Sequence, residues 1–113
     1  MISEKREVDK DGYLILRKEF KQNSFILKQI YRDGNYAIYH KTKPNTSINH
    51  FEAIKILKEE EREMGGIKIE AHEIYPSALH FGNTAFACMT YENALARIKK
   101  MKEEDKDENP PSI

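Results

Sequence analysis

The chain contains no tryptophan, a single cysteine and no net charge, with 19 basic and 19 acidic side chains among its 113 residues. The lone Cys88 can form no internal disulfide and no multi-cysteine metal site, which is typical of a reducing compartment. No apolar run approaches the roughly 18 residues of a membrane span, and the charged segment Met1 to Asp11 is unlike a secretory signal. These absences predict a soluble, cytoplasmic protein with no membrane partner.

The length of the chain corresponds to one compact domain. Residues 1–12 are mostly charged and have little apolar surface to bury, which predicts a flexible charged arm. A single α+β domain is predicted over residues 13–102. Residues 103–113 are acidic, end in Asn-Pro-Pro-Ser-Ile and show no periodicity, so we expect an acidic flexible tail.

A β-hairpin is the clearest local pattern, and it covers residues 25–42. Apolar residues alternate from Phe25 to Arg32 and again from Tyr36 to Thr42, and Asp33-Gly34-Asn35 between them tolerates turn conformations. On the first strand, the residues predicted to share one face are Phe25, Leu27 and Tyr31. Further strands are predicted from Tyr13 to Phe20, from Ile67 to Ile74 and from Thr84 to Met89.

A helix is predicted from Tyr91 to Lys102, with Thr90 as its N-cap. Its apolar stripe consists of Tyr91, Ala94, Leu95, Ile98 and Met101. Together these elements predict the α+β class, with an antiparallel β-meander of about five or six strands and one C-terminal helix packed on a face.

Residues 50–64 carry two patterns at once. Asn49 and Glu52 have the spacing of a capping box, and apolar residues at helical spacing precede Gly65, which favours a helix. Apolar residues clustered near Phe51 and four glutamates among residues 58–63 favour instead a strand leading into a charged, exposed hairpin tip at Gly65-Gly66. The residues alone leave both alternatives open.

The order of short motifs between residues 25 and 100 resembles a class of small uncharacterised proteins often encoded by bacteriophages. The motifs are Gly34-Asn35, Ala37-Ile38-Tyr39, Phe51-Glu52-Ala53-Ile54-Lys55-Ile56, Glu73-Ile74-Tyr75-Pro76-Ser77, Phe81-Gly82 and Thr90-Tyr91-Glu92-Asn93-Ala94. The resemblance implies a β-meander with a C-terminal helix, a strand over Phe51 to Lys58, and a viral or mobile-element origin, so that the cytoplasm would be that of a host cell. It implies no activity, ligand or catalytic residue.

No catalytic motif, nucleotide fingerprint or compact metal signature occurs in the sequence. Cys88 lies inside an apolar run, which predicts a small buried core residue rather than a nucleophile. His72 and His80 are eight residues apart, with Glu70, Glu73 and Cys88 as conceivable companions, and this spacing matches no zinc motif. We therefore predict a protein that is not an enzyme and has no catalytic residue, cofactor or metal site.

Basic residues concentrate between Leu14 and Lys43, where seven Lys and Arg stand against two acidic residues and are interleaved with aromatic side chains. A sheet that exposes aromatics among cations can stack bases and hold phosphates. The same pattern also describes an ordinary half-buried sheet. The candidate interaction surface consists of Arg17, Lys18, Lys28, Arg32, Tyr36, Tyr39 and Lys41.

Two functions follow from these patterns. Elimination favours a small non-enzymatic binding or assembly protein that acts through a protein–protein surface, with an unidentified protein or a second copy of itself as partner. In this hypothesis the hairpin 25–42 is a sheet edge, and an aromatic such as Tyr39 anchors the contact. The alternative is a nucleic-acid-binding module that uses the basic, aromatic hairpin 25–42, although the neutral overall charge opposes strong non-specific binding.

Overall fold

The structure, a computed structural model, describes residues 7–77 and 80–108 of the chain. Within these residues, nine strands precede one helix. The elements are β1 (Glu19–Gln22), β2 (Phe25–Asp33), β3 (Tyr36–Thr42), β4 (Asn49–Lys55), β5 (Leu57–Glu59), β6 (Arg62–Met64), β7 (Ile67–Ile69), β8 (His72–Ile74), β9 (Ala85–Cys88) and α1 (Tyr91–Glu108). The predicted α+β class is confirmed.

Five strands form the main sheet in the order β1-β2-β3-β4-β9, and all neighbours are antiparallel. The first four strands follow one another as a meander, and β9 returns to the outer side of β4 after the excursion through β5 to β8. In the centre of the sheet, Ala53 lies opposite Ile38 on one side and Phe86 on the other. The predicted antiparallel meander with one helix is confirmed.

Two tight turns set the register of the meander. Asn23 and Ser24 connect β1 to β2 with φ values of 52° and 72°. The predicted hairpin 25–42 turns at Gly34 and Asn35, where Gly34 has φ 62°. Left-handed conformations of this kind suit two-residue hairpin loops, and Gly adopts them without steric cost.

One face of the sheet is covered by α1. Thr90 caps the helix as predicted, because its Oγ1 accepts a hydrogen bond from the Asn93 amide at 3.1 Å. The buried cluster between helix and sheet consists of Ile38, Ala53, Cys88, Ala94, Ile98 and Met101, with Tyr91 and Leu95 packed against it. In the described part of the chain, no helix has the length and apolar character that a membrane crossing requires.

The helix extends six residues beyond its predicted end at Lys102 and reaches Glu108. The prediction of a tail from residue 103 is therefore wrong for residues 103–108, and residues 109–113 lie outside the described residues. The extension is tied to the sheet through Asp105, which accepts hydrogen bonds from the Tyr36 hydroxyl and from Lys55 Nζ. These polar contacts hold a helical turn that carries no apolar stripe.

The segment 50–64 is extended and contains no helix. The helical alternative is wrong because Ala53 and Ile54, which fit helical spacing, are both fully buried on opposite faces of β4. The predicted single strand from Ile67 to Ile74 is divided into β7 and β8. β8 pairs with β5, whereas β7 pairs with β6 in a separate two-stranded ribbon closed by Gly65 and Gly66.

The second face of the sheet is covered by irregular chain segments. Its buried cluster consists of Leu16, Leu27, Ala37, Tyr39, Ile54, Ile56 and Ala85, with Phe20, Phe25, Tyr75 and Phe81 packed against it. The segment that contains Leu16 makes backbone bridges rather than the predicted strand, and the first strand of the sheet begins at Glu19.

Part of the predicted flexible arm is folded back on the domain. Val8 forms a bridge with Leu14, and the amide of Ile15 donates to the carbonyl of Glu7 at 2.8 Å. The prediction of an arm over residues 1–12 thus misses the ordered contacts of residues 7–12, while residues 1–6 lie outside the described residues.

A β-bulge in β2 shifts the alternation of its side chains. The register changes between Gln29 and Tyr31, so that Ile30 is the extra residue. Tyr31 therefore lies opposite Ile38 and packs on the helix-covered face, whereas Leu27 faces the other cluster. The prediction that Tyr31 shares a face with Leu27 is wrong, because strict alternation holds only in an uninterrupted ladder.

We expect Ile98→Ala to lower the free energy of unfolding by about 2 to 4 kcal/mol, because Ile98 is only 2% exposed between helix and sheet and the smaller side chain leaves a cavity. Chemical denaturation measures the change. The neighbouring Lys99 is exposed, and Lys99→Ala should change stability by less than about 0.5 kcal/mol. Equal stabilities for both variants would contradict the packing of α1.

Candidate functional site

The residues of the predicted interaction surface do not lie together. Lys28 is opposite His40 on the helix-covered face, whereas Tyr39 and Lys41 lie on the opposite face. Arg17 and Lys18 are exposed in the segment before β1. The hairpin 25–42 also occupies the interior of the sheet, between β1 and β4. The hypothesis that this hairpin is a sheet edge is therefore wrong.

Tyr39 is a core residue with no exposed surface. Its hydroxyl donates to the carbonyl of Arg17 at 2.6 Å and accepts from Gln29 Nε2 at 2.9 Å. Its ring makes edge-to-face contacts with Phe20 and Tyr75, with centroids 5.6 and 5.1 Å away. Burial raises the pKa of Tyr39 to about 12. In this conformation the ring is available neither to stack a base nor to anchor a partner.

Tyr36 is likewise committed to an internal contact. Its hydroxyl donates to Asp105, and burial together with that carboxylate raises the pKa of Tyr36 to about 12. The same hydrogen bond, with help from Lys55, lowers the pKa of Asp105. Tyr36 thus joins the sheet to the last turns of α1 rather than offering its hydroxyl to a ligand.

Arg32 forms an ion pair with the buried carboxylate of Glu73. The bulge turns Arg32 to the face of Ala37, and its guanidinium donates to both oxygens of Glu73 at 2.9 and 2.7 Å. Glu73 is 2% exposed and also accepts from the Leu16 amide at 2.8 Å. Burial opposes ionisation, but the hydrogen bonds from Arg32 and Leu16 outweigh it and lower the pKa of Glu73. The charge of Arg32 is therefore neutralised inside the protein.

Lys41 lies at the side of a cleft of about 460 Å³ beneath the second face of the sheet. Glu52 also lines this cleft, is 3% exposed, and accepts hydrogen bonds from the Tyr75 hydroxyl and from Lys41 Nζ, the latter at 3.2 Å. His50 Nε2 lies 3.5 Å from the same carboxylate. Burial beside Glu52 raises the pKa of Tyr75. These polar groups interact with one another, so Lys41 is part of the cleft and does not belong to an exposed cationic patch.

Ser77, which also lines the cleft, contacts His80, a pairing that no sequence pattern indicated. Ser77 Oγ lies 3.0 Å from His80 Nδ1, which also accepts from the Ser77 amide at 3.2 Å. The amide of His80 donates in return to the carbonyl of Ser77 at 2.9 Å. All three contacts join the same two residues, which are three positions apart, so they are local contacts of the chain and do not indicate an activated hydroxyl.

The remaining candidate residues have structural roles. Cys88 is buried in the helix-covered cluster as predicted, and burial raises the pKa of its thiol, which disfavours the reactive thiolate. His72 Nδ1 contacts the carbonyl of Glu70 at 2.8 Å. Among the described residues, no group of three or more His, Cys, Asp and Glu side chains is arranged to hold a metal ion.

The structure instead exposes a surface that the sequence analysis described only as a charged hairpin tip. The ribbon of β6 and β7 covers Arg62–Ile69. From here on we call this ribbon the arm, and the name no longer refers to the charged arm predicted over residues 1–12. Met64 and Ile67 lie opposite each other beside the turn and are 54% and 67% exposed. The alternation of apolar and charged residues around Gly65-Gly66 is the signal that predicts such a ribbon. The exposure of the two apolar side chains is visible only in the structure.

The buried Arg32 and Glu73 pair leads to a pH-dependent stability. We expect Glu73→Gln to lower the free energy of unfolding at neutral pH by about 2 to 3 kcal/mol, because a largely buried guanidinium loses its counter-ion. The lowered pKa of folded Glu73 stabilises the wild type fully above the ordinary value of 4.5, and this contribution is lost as pH falls through the folded pKa.

Denaturation at a series of pH values measures both effects, and the Glu73→Gln variant should lose this part of the acid dependence. Glu63 is exposed on the arm, so Glu63→Gln should retain the wild-type profile. A Glu73→Gln variant with unchanged stability and an unchanged acid profile would show that the pair contributes nothing.

Comparison of the chain with protein-family models, with curated proteins and with solved structures gives no match.

Proposed function

We propose that this chain is a small non-enzymatic binding or assembly protein that acts through a protein–protein surface. The observation that carries the proposal is the arm, whose apolar face is left in water. Large exposed apolar side chains on an ordered element are typical of interaction sites, whereas scattered ones need no explanation.

The two faces of the arm differ in chemistry. Cross-strand partners share a face of a ribbon, so the pairing of Met64 with Ile67 and of Arg62 with Ile69 gives one mainly apolar face. Glu63 pairs with Lys68 on the other, charged face. A division of this kind is characteristic of a strand pair that buries one side against another surface.

The arm cannot gain much stability from itself. A two-stranded ribbon is at best marginally stable in water, and residues 61–68 are all exposed in this structure. Between residues 59 and 70, the five glutamates at positions 59–61, 63 and 70 outnumber the cations Arg62 and Lys68. The partner that fits is therefore a protein with an apolar groove bordered by basic side chains.

The nucleic-acid alternative has less support. Of the cations in the hairpin 25–42, Arg32 and Lys41 pair with Glu73 and Glu52, and Tyr39 is buried. The exposed lysines Lys18 and Lys28 have no neighbouring exposed aromatic among the predicted surface residues.

A bacteriophage or mobile-element origin, and location in the cytoplasm of a host cell, are proposals that rest on the sequence resemblance over residues 25–100.

The arm is tested by the double variant Met64→Lys with Ile67→Lys. We expect the tagged wild-type chain to capture a specific partner from the cells that naturally express it, and the double variant to lose at least about tenfold of that capture, because charge replaces the apolar contact. The matched control replaces Glu63 and Lys68 with serine on the other face and should retain capture. Equal capture by the double variant would refute the role of the arm, provided that thermal melts show all variants folded.

Nucleic-acid binding is tested with a labelled single-stranded oligonucleotide by fluorescence anisotropy. We expect no binding at about 150 mM salt, since the cations of the sheet are largely paired with carboxylates. Tight binding that weakens steeply with salt, and that is lost when Lys18 and Lys28 are both replaced by glutamine, would overturn the preference for a protein partner.

A further inference from the structure

The cleft on the second face of the sheet holds an ion pair that the proposed role of the arm leaves unused. Lys41 and Glu52 both line this cleft of about 460 Å³, and Lys41 Nζ lies 3.2 Å from the carboxylate. Apolar residues of similar volume often replace a buried ion pair without loss of stability, so the pair is weak evidence of a purely structural role. Polar groups that converge on a cavity of this size are typical of small-molecule sites.

The cleft stays open because a small residue stands beside Glu52. Ala87 is the cross-strand partner of Glu52, and His50 is the cross-strand partner of Lys41. Cross-strand partners share a face, and so do residues two apart on one strand, which places all four side chains together. The methyl group of Ala87 leaves the space beside Glu52 unfilled, and Ala87 is itself exposed. Another part of the lining is mainly apolar and consists of Tyr75, Pro76 and Phe81.

The cleft offers a ligand hydrogen-bond donors more than acceptors. Glu52 is 3% exposed, and its carboxylate already accepts from the Tyr75 hydroxyl and from Lys41 Nζ. Lys41 has three N–H donors, gives one of them to Glu52 and keeps part of its side chain in solvent. The accessible member of the pair is therefore the ammonium group.

A second ammonium group adds positive charge at the same end of the sheet. The Nζ atoms of Lys41 and Lys43 lie 4.4 and 5.5 Å from the centroid of the Phe25 ring. Lys43 has no carboxylate partner in the described part of the chain, and Glu52 is the one acidic side chain among the described residues that line the cleft. Two lysines beside one buried carboxylate leave an excess of positive charge, which favours an anionic ligand.

We propose that the cleft binds a small organic anion, in which a carboxylate or phosphate group is attached to an apolar ring. The lysines supply the charge and the donors for the anionic group, and the space beside Ala87 and Phe81 takes the ring. A cationic ligand is disfavoured, because the carboxylate of Glu52 is buried and already accepts two hydrogen bonds. The cleft shares no lining residue with the arm, so this proposal is independent of the proposed protein partner.

The test is a titration of the isotope-labelled chain followed by heteronuclear NMR, with benzoate and phenylphosphate as probes. Saturable shifts of amides that line the cleft are expected with at least one probe, and the probe that binds distinguishes a carboxylate from a phosphate ligand. Benzylamine carries the opposite charge on a similar ring and should give no saturable shift. The proposal is refuted if neither anion binds at up to about 10 mM, where a millimolar dissociation constant already gives high occupancy. Tighter binding of benzylamine than of both anions also refutes it.

Two variants locate the site. Ala87→Leu fills the cleft and leaves its charges in place, whereas Lys43→Met removes the lysine that has no carboxylate partner. Each should raise the dissociation constant of the bound probe by about tenfold or more. Lys28→Met removes an exposed lysine from the helix-covered face and is the matched control, so it should bind as the wild type does. Circular dichroism verifies the fold of each variant, and unchanged affinity in both Ala87→Leu and Lys43→Met would place the anion elsewhere and contradict the proposal.

Discussion

The ion pair of Arg32 and Glu73 connects the parts of this molecule that local patterns leave independent. Arg32 belongs to β2 in the main sheet, Glu73 to β8 in the excursion, and the Leu16 amide that completes the site belongs to the segment before β1. A buried carboxylate needs its partners, because an unpaired buried charge is costly. The irregular layer over the second face of the sheet is therefore positioned as much by polar contacts as by apolar packing.

The same second face contains other polar groups that pair internally. The Tyr39 hydroxyl donates to a backbone carbonyl, and the Tyr75 hydroxyl and Lys41 Nζ both donate hydrogen bonds to the Glu52 carboxylate. Several of the tyrosines and cations that suggest a binding surface in the sequence thus complete the core instead. With these groups committed, the proposed function rests on the exposed apolar face of the arm.

The arm differs from the main sheet in the placement of its apolar residues. The arm extends the chain into a charged, two-sided ribbon, and its apolar residues gain no cover from the described domain. The main sheet, in contrast, buries its apolar residues under α1 on one face and in the second cluster on the other face.

The sequence by itself determined the α+β class, the hairpin 25–42, the capped helix from Tyr91 and the buried state of Cys88, because each depends on local periodicity or turn chemistry. Only the tertiary structure decided the face of Arg32, since one extra residue in a bulge inverts the alternation that follows it. It also decided that Tyr39 is internal and that α1 continues to Glu108 through the contacts of Asp105. These outcomes depend on partners distant in sequence, such as Glu73 and Lys55, whose positions no local pattern contains.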